Sequence, residues 1–263
     1  MDDARHIAME TRRLSGGETT HRSDQVVTEA PLQIAINGTP FSITMRTPGD
    51  DEALAIGLLF SEGIIQYEPG ACTLNRTSEN EINIEIPEIY LCTSLREKRT
   101  IASSASCGIC GKTEFEALKG DPLSTESLAV TTHDVRAMYR DMESAQPTFA
   151  ATGGCHAAAL FVTDGSLLCC HEDVGRHNAV DKCIGRLLME SRLTDANLLL
   201  VSGRVSYEIV AKAYRAGTHF LCAVSAPSSM AVKTAKRLGI TLSGFCREDR
   251  MTVYTHPDRI QHG

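Results

Sequence analysis

The sequence contains no long apolar segment. Its first residues, MDDARHIAMETRRLSGGETTHRSDQ, lack the apolar core of a signal peptide, and no later stretch approaches the roughly 18 apolar residues that a membrane-spanning helix needs. We therefore expect a soluble, cytoplasmic protein that has no membrane partner.

The sequence also lacks a surplus of positive charge. The 263 residues carry a formal net charge of −7, so no overall field attracts nucleic acid or an anionic membrane. We expect no nucleic-acid partner, and a local group of cations would have to hold any anionic ligand. The content of 42% apolar and 22% charged residues is that of an ordinary globular protein with one large domain or two small ones.

The ten cysteines do not indicate a disulfide framework, because no secretion signal accompanies them. We expect reduced thiols, most of which are buried and behave as small hydrophobic groups.

The organisation of the first half follows from its periodicity. Residues 1–24 are polar and aperiodic, which predicts a poorly ordered or loosely attached arm. In residues 25–145, apolar residues alternate on both sides of Asn37-Gly38, which predicts two strands, and Pro40 favours a loop longer than the minimal turn. The segment TPGDDEALAIGLLFSEGII predicts a buried helix that ends at Gly63. We expect a small N-terminal α+β domain.

In residues 146–263, short apolar runs alternate with helical segments. AAALFVTDGSLL predicts a hairpin around Asp164-Gly165, and RHNAVDKCIGRLLMES has the periodicity of one helix face. The segments from NLLLVS to ITLSGF predict βαβ units and therefore an α/β fold in three layers. We place a domain boundary near residue 145, where SAQPT interrupts a helical pattern.

The segment SSASCGICGK places Cys107 and Cys110 three positions apart among serines and glycines. Such a pair is typical of half a structural zinc site, a redox dithiol or a nucleophilic sulfur centre. Zinc needs further ligands, and the adjacent residues of Cys155-His156 and Cys169-Cys170-His171 lack the usual spacing. A thioredoxin-type motif would follow a strand and open a helix, which this segment, about 100–113, does not indicate.

The surroundings of the two cysteines favour an accessible, mobile thiol. Gly108 and Gly111 allow backbone conformations closed to other residues, and Lys112 favours the reactive thiolate. A thiolate on such a loop can attack a sulfur donor, hold the sulfur as a persulfide and pass it to an acceptor. The alternative is a surface loop whose cysteines have no chemical role. The residues alone leave zinc binding, redox exchange, sulfur carriage and an inert loop open.

Two polar segments are candidates for ligand binding. TGGCHAAAL offers two glycines that allow close approach of a ligand and a histidine that can bond or transfer a proton, or else it forms a tight turn. HEDVGRHNAVDK crowds charged residues around a helix start, where an arginine and the helix N-terminus suit a phosphate; an internal salt-bridge network is the alternative. The candidates are Gly153, Gly154, His156, Arg176 and His177.

Two strand-to-helix turns, VSGRVSYE and VSAPSSMA, are also polar. Because ligands in open α/β sheets gather at the carboxyl ends of strands, the two turns predict one phosphate-binding face. Neither is a Walker A or GxGxxG sequence, so no particular nucleotide is specified. The candidates are Ser202, Arg204, Ser206, Ser225 and Ser228.

A series of motifs in this chain resembles those of one family. In order, EAPLQIAING, MRTPGDDEALAIGLLFSEGII, SCGICGK, TGGCHAAAL, EDVGRHNAVDKCIG, SGRVSYEIVAKA, AVSAPSSMAV and TLSGFCRE…MTVYTHPDRI closely resemble the motifs of the formate dehydrogenase accessory sulfurtransferase family (FdhD). The resemblance extends from about residue 27 to about residue 260.

The resemblance implies a sulfurtransferase. Such a protein takes sulfur from a cysteine desulfurase and passes it to the bis(molybdopterin guanine dinucleotide) form of the molybdenum cofactor, before that cofactor enters formate dehydrogenase. By this analogy Cys107 carries the persulfide, and Cys110 assists its transfer or protects it. The resemblance also implies a homodimer whose two pockets hold the two guanine ends of the cofactor, for which GDP is a mimic.

The resemblance further implies a cytidine-deaminase-like second domain, a mixed sheet flanked by helices. The chain lacks the H-x-E and P-C-x-x-C signature of zinc deaminases, so we expect a nucleotide-sized pocket without a metal. The segment FCREDR corresponds to a cofactor-binding segment of the family. Its residues are Phe245, Cys246, Arg247, Glu248, Asp249 and Arg250.

Two rival functions stay open at this point. The first is a chaperone that holds the cofactor and docks on the apo-enzyme without moving sulfur, and the second is a structural protein that binds zinc.

Overall fold

The computed structural model describes residues 4–68, 70–91, 118, 120–123, 128–247 and 250–263. The predicted site residues outside these ranges are Cys107, Cys110, Glu248 and Asp249.

The chain begins with a β-hairpin rather than a poorly ordered arm. Strands β1 (His6–Ser15) and β2 (Glu18–Val27) pair antiparallel along their whole length. Gly16 and Gly17 form the turn with φ angles of 59° and 85°, which only glycine adopts readily. The poorly ordered arm predicted for residues 1–24 is therefore replaced by an ordered hairpin. Paired backbones satisfy each other's hydrogen bonds even where the side chains are polar.

A four-stranded sheet follows, in the order β4-β3-β6-β5. Its strands are β3 (Ala30–Ile36), β4 (Thr39–Arg46), β5 (Thr73–Ser78) and β6 (Glu81–Glu85). Asn37 and Gly38, with φ angles of 50° and 75°, form a two-residue turn, so the longer loop expected from Pro40 is wrong. Pro40 lies in the edge strand β4, where a register shift between Ile34 and Ala35 accommodates it.

Helix α1 (Asp51–Ser61) carries two acidic residues in its first turn and ends before Gly63, whose φ is 68°. The helix predicted from the sequence is confirmed. Leu54, Ile56 and Leu59 are fully buried beneath the four-stranded sheet, in a core that also contains that sheet's inward side chains.

The second half contains a short strand β7 (Val130–Thr131), helices α2 (Thr132–Ser144) and α3 (Pro147–Thr152), and then a six-stranded sheet. The remaining strands are β8 (His156–Phe161), β9 (Leu167–Asp173), β10 (Leu198–Val201), β11 (Phe220–Ala223), β12 (Thr241–Arg247), β13 (Arg250–Val253) and β14 (Ile260–Gln261). The remaining helices are α4 (Arg176–Met189), α5 (Tyr207–Arg215) and α6 (Ser229–Leu238). One-turn 3₁₀ helices cover Glu88–Tyr90, Leu193–Asp195 and Pro257–Arg259.

The large sheet is mixed. Its order is β13-β12-β11-β10-β8-β9, in which β10, β11 and β12 run parallel and the other pairs are antiparallel. The hairpin predicted around Gly165 and the βαβ units predicted after it are confirmed. The protein is therefore a mixed α/β fold.

Alternate residues of the central strands fill two cores. On one face, Leu199, Val201 and Leu221 pack with α1, α4, α5 and α6, and on the other, Leu200 and Phe220 pack with α2. Helix α2 thus belongs to the large sheet, so the C-terminal unit begins before residue 145, contrary to the expected boundary.

The two units are joined by close contact between α1 and α4. A methyl group on Gly57 would overlap the carbonyl of Asp181, and one on Gly185 would overlap the carbonyl of Ala53. These glycines let the helix backbones touch, which fuses the core of the small sheet with one core of the large sheet.

In the part of the chain that the structure describes, no helix combines the length and the apolar character needed to cross a membrane.

Candidate functional site

The predicted ligand-binding segments meet at one edge of the large sheet. At this edge the carboxyl end of β10 lies beside the amino end of β8. Ser202 donates its backbone N–H to the Ala157 carbonyl at 3.0 Å, and its Oγ accepts the Ala157 N–H at 2.9 Å. The TGGCHAAAL and VSGRVSYE segments are therefore neighbours in space.

The second polar turn joins the first through backbone hydrogen bonds. Val205 donates to the Ala226 carbonyl at 3.2 Å, and Ser228 donates to the Val205 carbonyl at 2.9 Å. Phe245 in turn donates to the Ser225 carbonyl at 3.3 Å. We call this edge the strand-end site, and it consists of His156, Arg176, residues 202–206, residues 225–228 and Phe245.

Two arginines supply the positive charge of the strand-end site. Arg176 is the first residue of α4, and its Cδ would lie 3.4 Å from a methyl group on Gly203, so the glycine turn and the arginine are adjacent. The buried Nε of Arg176 has no hydrogen-bond partner in the described residues. Arg204 is exposed, and no ion pair joins it to a described residue. A site with uncompensated guanidinium groups suits an anion.

His156 lies between the arginines and the sheet. Its Nδ1 is 3.3 Å from Ser202 Oγ. Burial lowers the pKa of His156, and the positive charges of Arg176 and Arg204 lower it further. The imidazole is therefore neutral near pH 7 and can accept a hydrogen bond as well as donate one.

His177 is buried and fixes the start of α4 to the start of α5. Its Nε2 lies 2.9 Å from a Glu208 carboxylate oxygen and 3.3 Å from Ser206 Oγ. Its Nδ1 has no partner among the described residues. His177 thus holds the walls of the site in place, and its partner Glu208 was not singled out by the sequence analysis. An acidic residue in the first turn of a helix was the available signal.

The remaining charges of the HEDVGRHNAVDK segment form an internal network. Lys182 Nζ lies 2.8 Å from Asp173 Oδ2 and donates to the Thr47 carbonyl at 2.8 Å. Asn178 donates to Asp173 Oδ1 at 3.0 Å. Burial raises the pKa of Asp173, and the charge of Lys182 opposes this shift. These three side chains therefore form the internal network that was the alternative to ligand binding, and Arg176 is not part of it.

The two glycines of TGGCHAAAL have a local structural role. Gly153, with φ of 65°, ends α3, and a methyl group on Gly154 would press on Val27 of the hairpin. The tight-turn alternative describes both residues. The neighbouring Cys155 donates to Glu172 at 3.4 Å, and burial raises the pKa of its thiol to about 12, so this cysteine is not a nucleophile.

The serines of the two turns differ in what they contact. Ser206 bonds to His177, and Ser228 caps α6 by accepting the Ala231 N–H at 3.2 Å. Ser225 is partly buried where the second turn meets β12.

The FCREDR segment divides between the strand-end site and the interior. Phe245 adopts a φ of 53° at a register shift between Gly244 and Arg247, and its side chain is 41% exposed. Cys246 points instead into the core beneath α2, where its thiol donates to Ser243. Arg247 donates to the Val224 carbonyl at 3.2 Å and lies opposite Arg250 in the β12–β13 ladder.

Within the described ranges, no group of three or more histidine, cysteine or acidic side chains is arranged to hold a metal ion. The CxxC segment lies outside those ranges.

Comparison with known proteins finds relatives over almost the whole chain. The model of the FdhD/NarQ family matches residues 27–261. A Mycobacterium tuberculosis protein named sulfur carrier protein FdhD is 41% identical, over 95% of this chain and 96% of the relative. A Streptomyces coelicolor protein of the same name is 42% identical, over 94% and 93%.

A solved structure has the same fold. The crystal structure described as a formate dehydrogenase accessory protein from Desulfotalea psychrophila superposes with a TM-score of 0.78 at 25% identity. The match covers 97% of this chain and 99% of the other. With a family model spanning almost the whole sequence and relatives above 40% identity, the chain belongs to the FdhD/NarQ family.

Proposed function

We propose that the protein is a sulfurtransferase. It accepts persulfide sulfur from a cysteine desulfurase and transfers it to the bis(molybdopterin guanine dinucleotide) molybdenum cofactor, which formate dehydrogenase then receives. Relatives named sulfur carrier protein FdhD, and a structural neighbour described as a formate dehydrogenase accessory protein, support the proposal.

The two cysteines of the CxxC motif can complete this chemistry between them. The Cys107 thiolate attacks the outer sulfur of the desulfurase persulfide, the donor leaves as a thiolate, and Cys107 keeps the sulfur as a persulfide. Cys110 then attacks the inner sulfur of Cys107. A disulfide forms between the two cysteines, and the outer sulfur departs as sulfide to the cofactor. A cellular dithiol reduces the disulfide for the next cycle, which is one reason to place the protein in the cytoplasm.

The buried Nε of Arg176, which has no partner among the described residues, is the observation that carries the cofactor-binding half of the proposal. A buried guanidinium nitrogen without a partner costs stability, and a pyrophosphate oxygen would supply the missing acceptor. The amino ends of α5 and α6 converge on the same edge and add partial positive charge. The exposed ring of Phe245 offers a flat face for a guanine base.

The strand order supports the further proposal that the C-terminal unit has a cytidine-deaminase-like fold. The antiparallel pair β8–β9 precedes three parallel strands linked by helices, and the polar turns follow the parallel strands. Such a unit presents a nucleotide-sized site at its strand ends.

Persulfide loading separates a sulfur carrier from a chaperone. After incubation with cysteine and a desulfurase, the intact mass of the protein should rise by about 32 Da, the mass of one sulfur atom. The rise should be absent from Cys107→Ala and present in Cys72→Ala, which removes a free thiol outside the motif. Cys110→Ala should load sulfur and release no sulfide. Loading of Cys107→Ala would exclude the assigned carrier.

We also propose a homodimer, which would present two strand-end sites to the two guanine ends of the cofactor. Light scattering at micromolar concentration should give twice the chain mass, and a monomer would count against this arrangement.

A further inference from the structure

A pair of buried cysteines lies on two neighbouring strands of the large sheet. Cys222 is in β11 and Cys246 is in β12, and both are free thiols. The Cys222 thiol donates a hydrogen bond to the sulfur of Cys246. Cys222 is fully buried, whereas Cys246 is 5% exposed. The two sulfur atoms therefore meet in the core beneath α2.

Four hydrogen-bond donors surround the sulfur of Cys246. Besides the Cys222 thiol, they are the Ser243 hydroxyl at 3.5 Å, the backbone N–H of Ala223 and the Tyr139 hydroxyl. A neutral thiol is a weak acceptor, so this set of donors suits a thiolate, whose full negative charge each of them stabilises. These hydrogen bonds, led by the one from Cys222, lower the pKa of Cys246, although its burial opposes the shift.

A cavity gives small molecules access to only one of the two cysteines. It lies between α2 and the β12–β13 hairpin, and its volume is about 820 Å³, which is ample for a molecule the size of water. Cys246 is the one cysteine among the described residues that line it. The hydrogen bond to Cys246 raises the pKa of the enclosed Cys222 well above its ordinary value, and burial raises it further. One thiol is thus accessible and ionisable, and the other is enclosed and protonated.

We propose that Cys246 is a peroxide-reactive site and that Cys222 is its resolving thiol. The Cys246 thiolate attacks one oxygen of hydrogen peroxide, the O–O bond breaks, and the departing hydroxide takes a proton from solvent, which leaves Cys246 as a sulfenic acid. Cys222 then attacks the sulfenic sulfur, the S–O bond breaks, and the oxygen leaves as water with the Cys222 proton. The pair loses two electrons and becomes a disulfide, while one peroxide becomes two water molecules.

The modification would join β11 to β12 beside the strand-end site. Cys246 directly follows Phe245, and Ser225 lies three positions after Cys222. A dithiol reduces such a bond, so the modification is reversible. The inference does not depend on the proposed function, because neither cysteine belongs to the CxxC motif.

Peptide mapping tests the pair in the unmodified protein. The reduced protein is treated with hydrogen peroxide, its remaining thiols are alkylated in denaturant, and it is digested with trypsin. Trypsin places Cys222 in residues 216–233 and Cys246 in residues 238–247. These two peptides should be joined by a disulfide that dithiothreitol cleaves. Recovery of both peptides unjoined and alkylated would overturn the proposal.

Two variants separate the roles of the cysteines. In Cys222→Ala, Cys246 should stop at the sulfenic acid, which dimedone labels on residues 238–247. In Cys246→Ala, Cys222 should stay reduced, and its oxidation at the rate seen in the unmodified protein would refute the assigned roles. Cys222→Ala should still load persulfide sulfur on Cys107, so this site and the proposed function can fail independently. Circular dichroism shows whether both variants are folded, and the mapping of the unmodified protein does not depend on them.

Cys155 is the internal control. It is 7% exposed, close to the value for Cys246, but its thiol donates to the Glu172 carboxylate and burial raises its pKa to about 12. Cys155 should therefore stay reduced under the same treatment. Equal oxidation of Cys155 and Cys246 would show that peroxide reacts with buried thiols in general and would remove the reason for assigning a site to Cys246.

Discussion

Two substitutions on helix α4, Arg176→Met and Lys182→Met, should have opposite consequences. Both replace a long cationic side chain with an unbranched apolar one. Lys182 is 2% exposed and bonded to Asp173, the Thr47 carbonyl and the Glu172 carbonyl, whereas the buried Nε of Arg176 is bonded to none of the described residues. Lys182 therefore stabilises the fold, whereas Arg176 is available to a ligand.

The expected magnitudes follow from these contacts. Lys182→Met leaves the fully buried Asp173 carboxylate without its counter-charge, which should lower the free energy of unfolding by about 3–5 kcal/mol. Arg176→Met removes a charge-assisted bond to phosphate that contributes about 1.5–3 kcal/mol, so GDP should bind roughly ten- to a hundredfold more weakly. The same change removes a buried nitrogen that no described residue satisfies, so stability should change by less than about 1 kcal/mol.

Urea unfolding and calorimetric titration of GDP measure the two effects separately. GDP titrations of Lys182→Met should be done at a temperature below the midpoint of its thermal unfolding. The variant is folded there and should keep its GDP affinity. A large loss of stability in Arg176→Met would mean that this side chain has a structural partner. Unchanged GDP affinity would mean that the phosphate does not bind at the strand-end site. Unchanged stability of Lys182→Met would refute the role assigned to the buried network.

Three further predictions concern other features of the chain. Gly185→Ala should lower the free energy of unfolding by about 1–3 kcal/mol or more in urea titrations, because the methyl group would separate α1 from α4; near-native stability would show that the helices move apart easily. Cys155 should resist alkylation by iodoacetamide at pH 8, since a pKa of about 12 leaves roughly one thiol in ten thousand ionised. Labelling of Cys155 in the native protein, detected by peptide mass mapping, would contradict its burial. Phe245→Gly should stabilise the fold by about 1 kcal/mol, because it removes a side chain from a residue with φ of 53°. It should also weaken GDP binding without changing pyrophosphate binding, and equal losses of affinity for both ligands would exclude a contact between the ring and the base.

Much of the fold could be predicted from the sequence because local pattern and tertiary environment agree in it. The βαβ units, the hairpin around Gly165 and helix α1 all formed where periodicity indicated them. The two failures have different causes. Polar composition hid the β1–β2 hairpin, and Pro40 suggested a longer loop because the compensating register shift lies on the neighbouring strand.

The candidate site was predictable in position and less so in detail. Strand-to-helix turns gather at one edge in any sheet with parallel strands, so the proximity of the turns at residues 202–206 and 225–228 could be expected from topology. The polar side chains that face a ligand could not be predicted, because the sequence does not show which charges neutralise each other. Cys246 also lies in the interior, although it is flanked by residues of the candidate site.

The density of polar residues in a segment is therefore a weaker indicator of binding than the hydrogen bonds that remain unmade in the folded chain. In the segment from His171 to Lys182, Asp173, Asn178 and Lys182 satisfy one another, and the density there serves the junction between the two units. Arg176, at the start of the same helix, keeps a buried nitrogen that has no acceptor in the described part of the chain. Because an unmade buried hydrogen bond lowers stability, a residue of this kind indicates a group that the described residues do not supply.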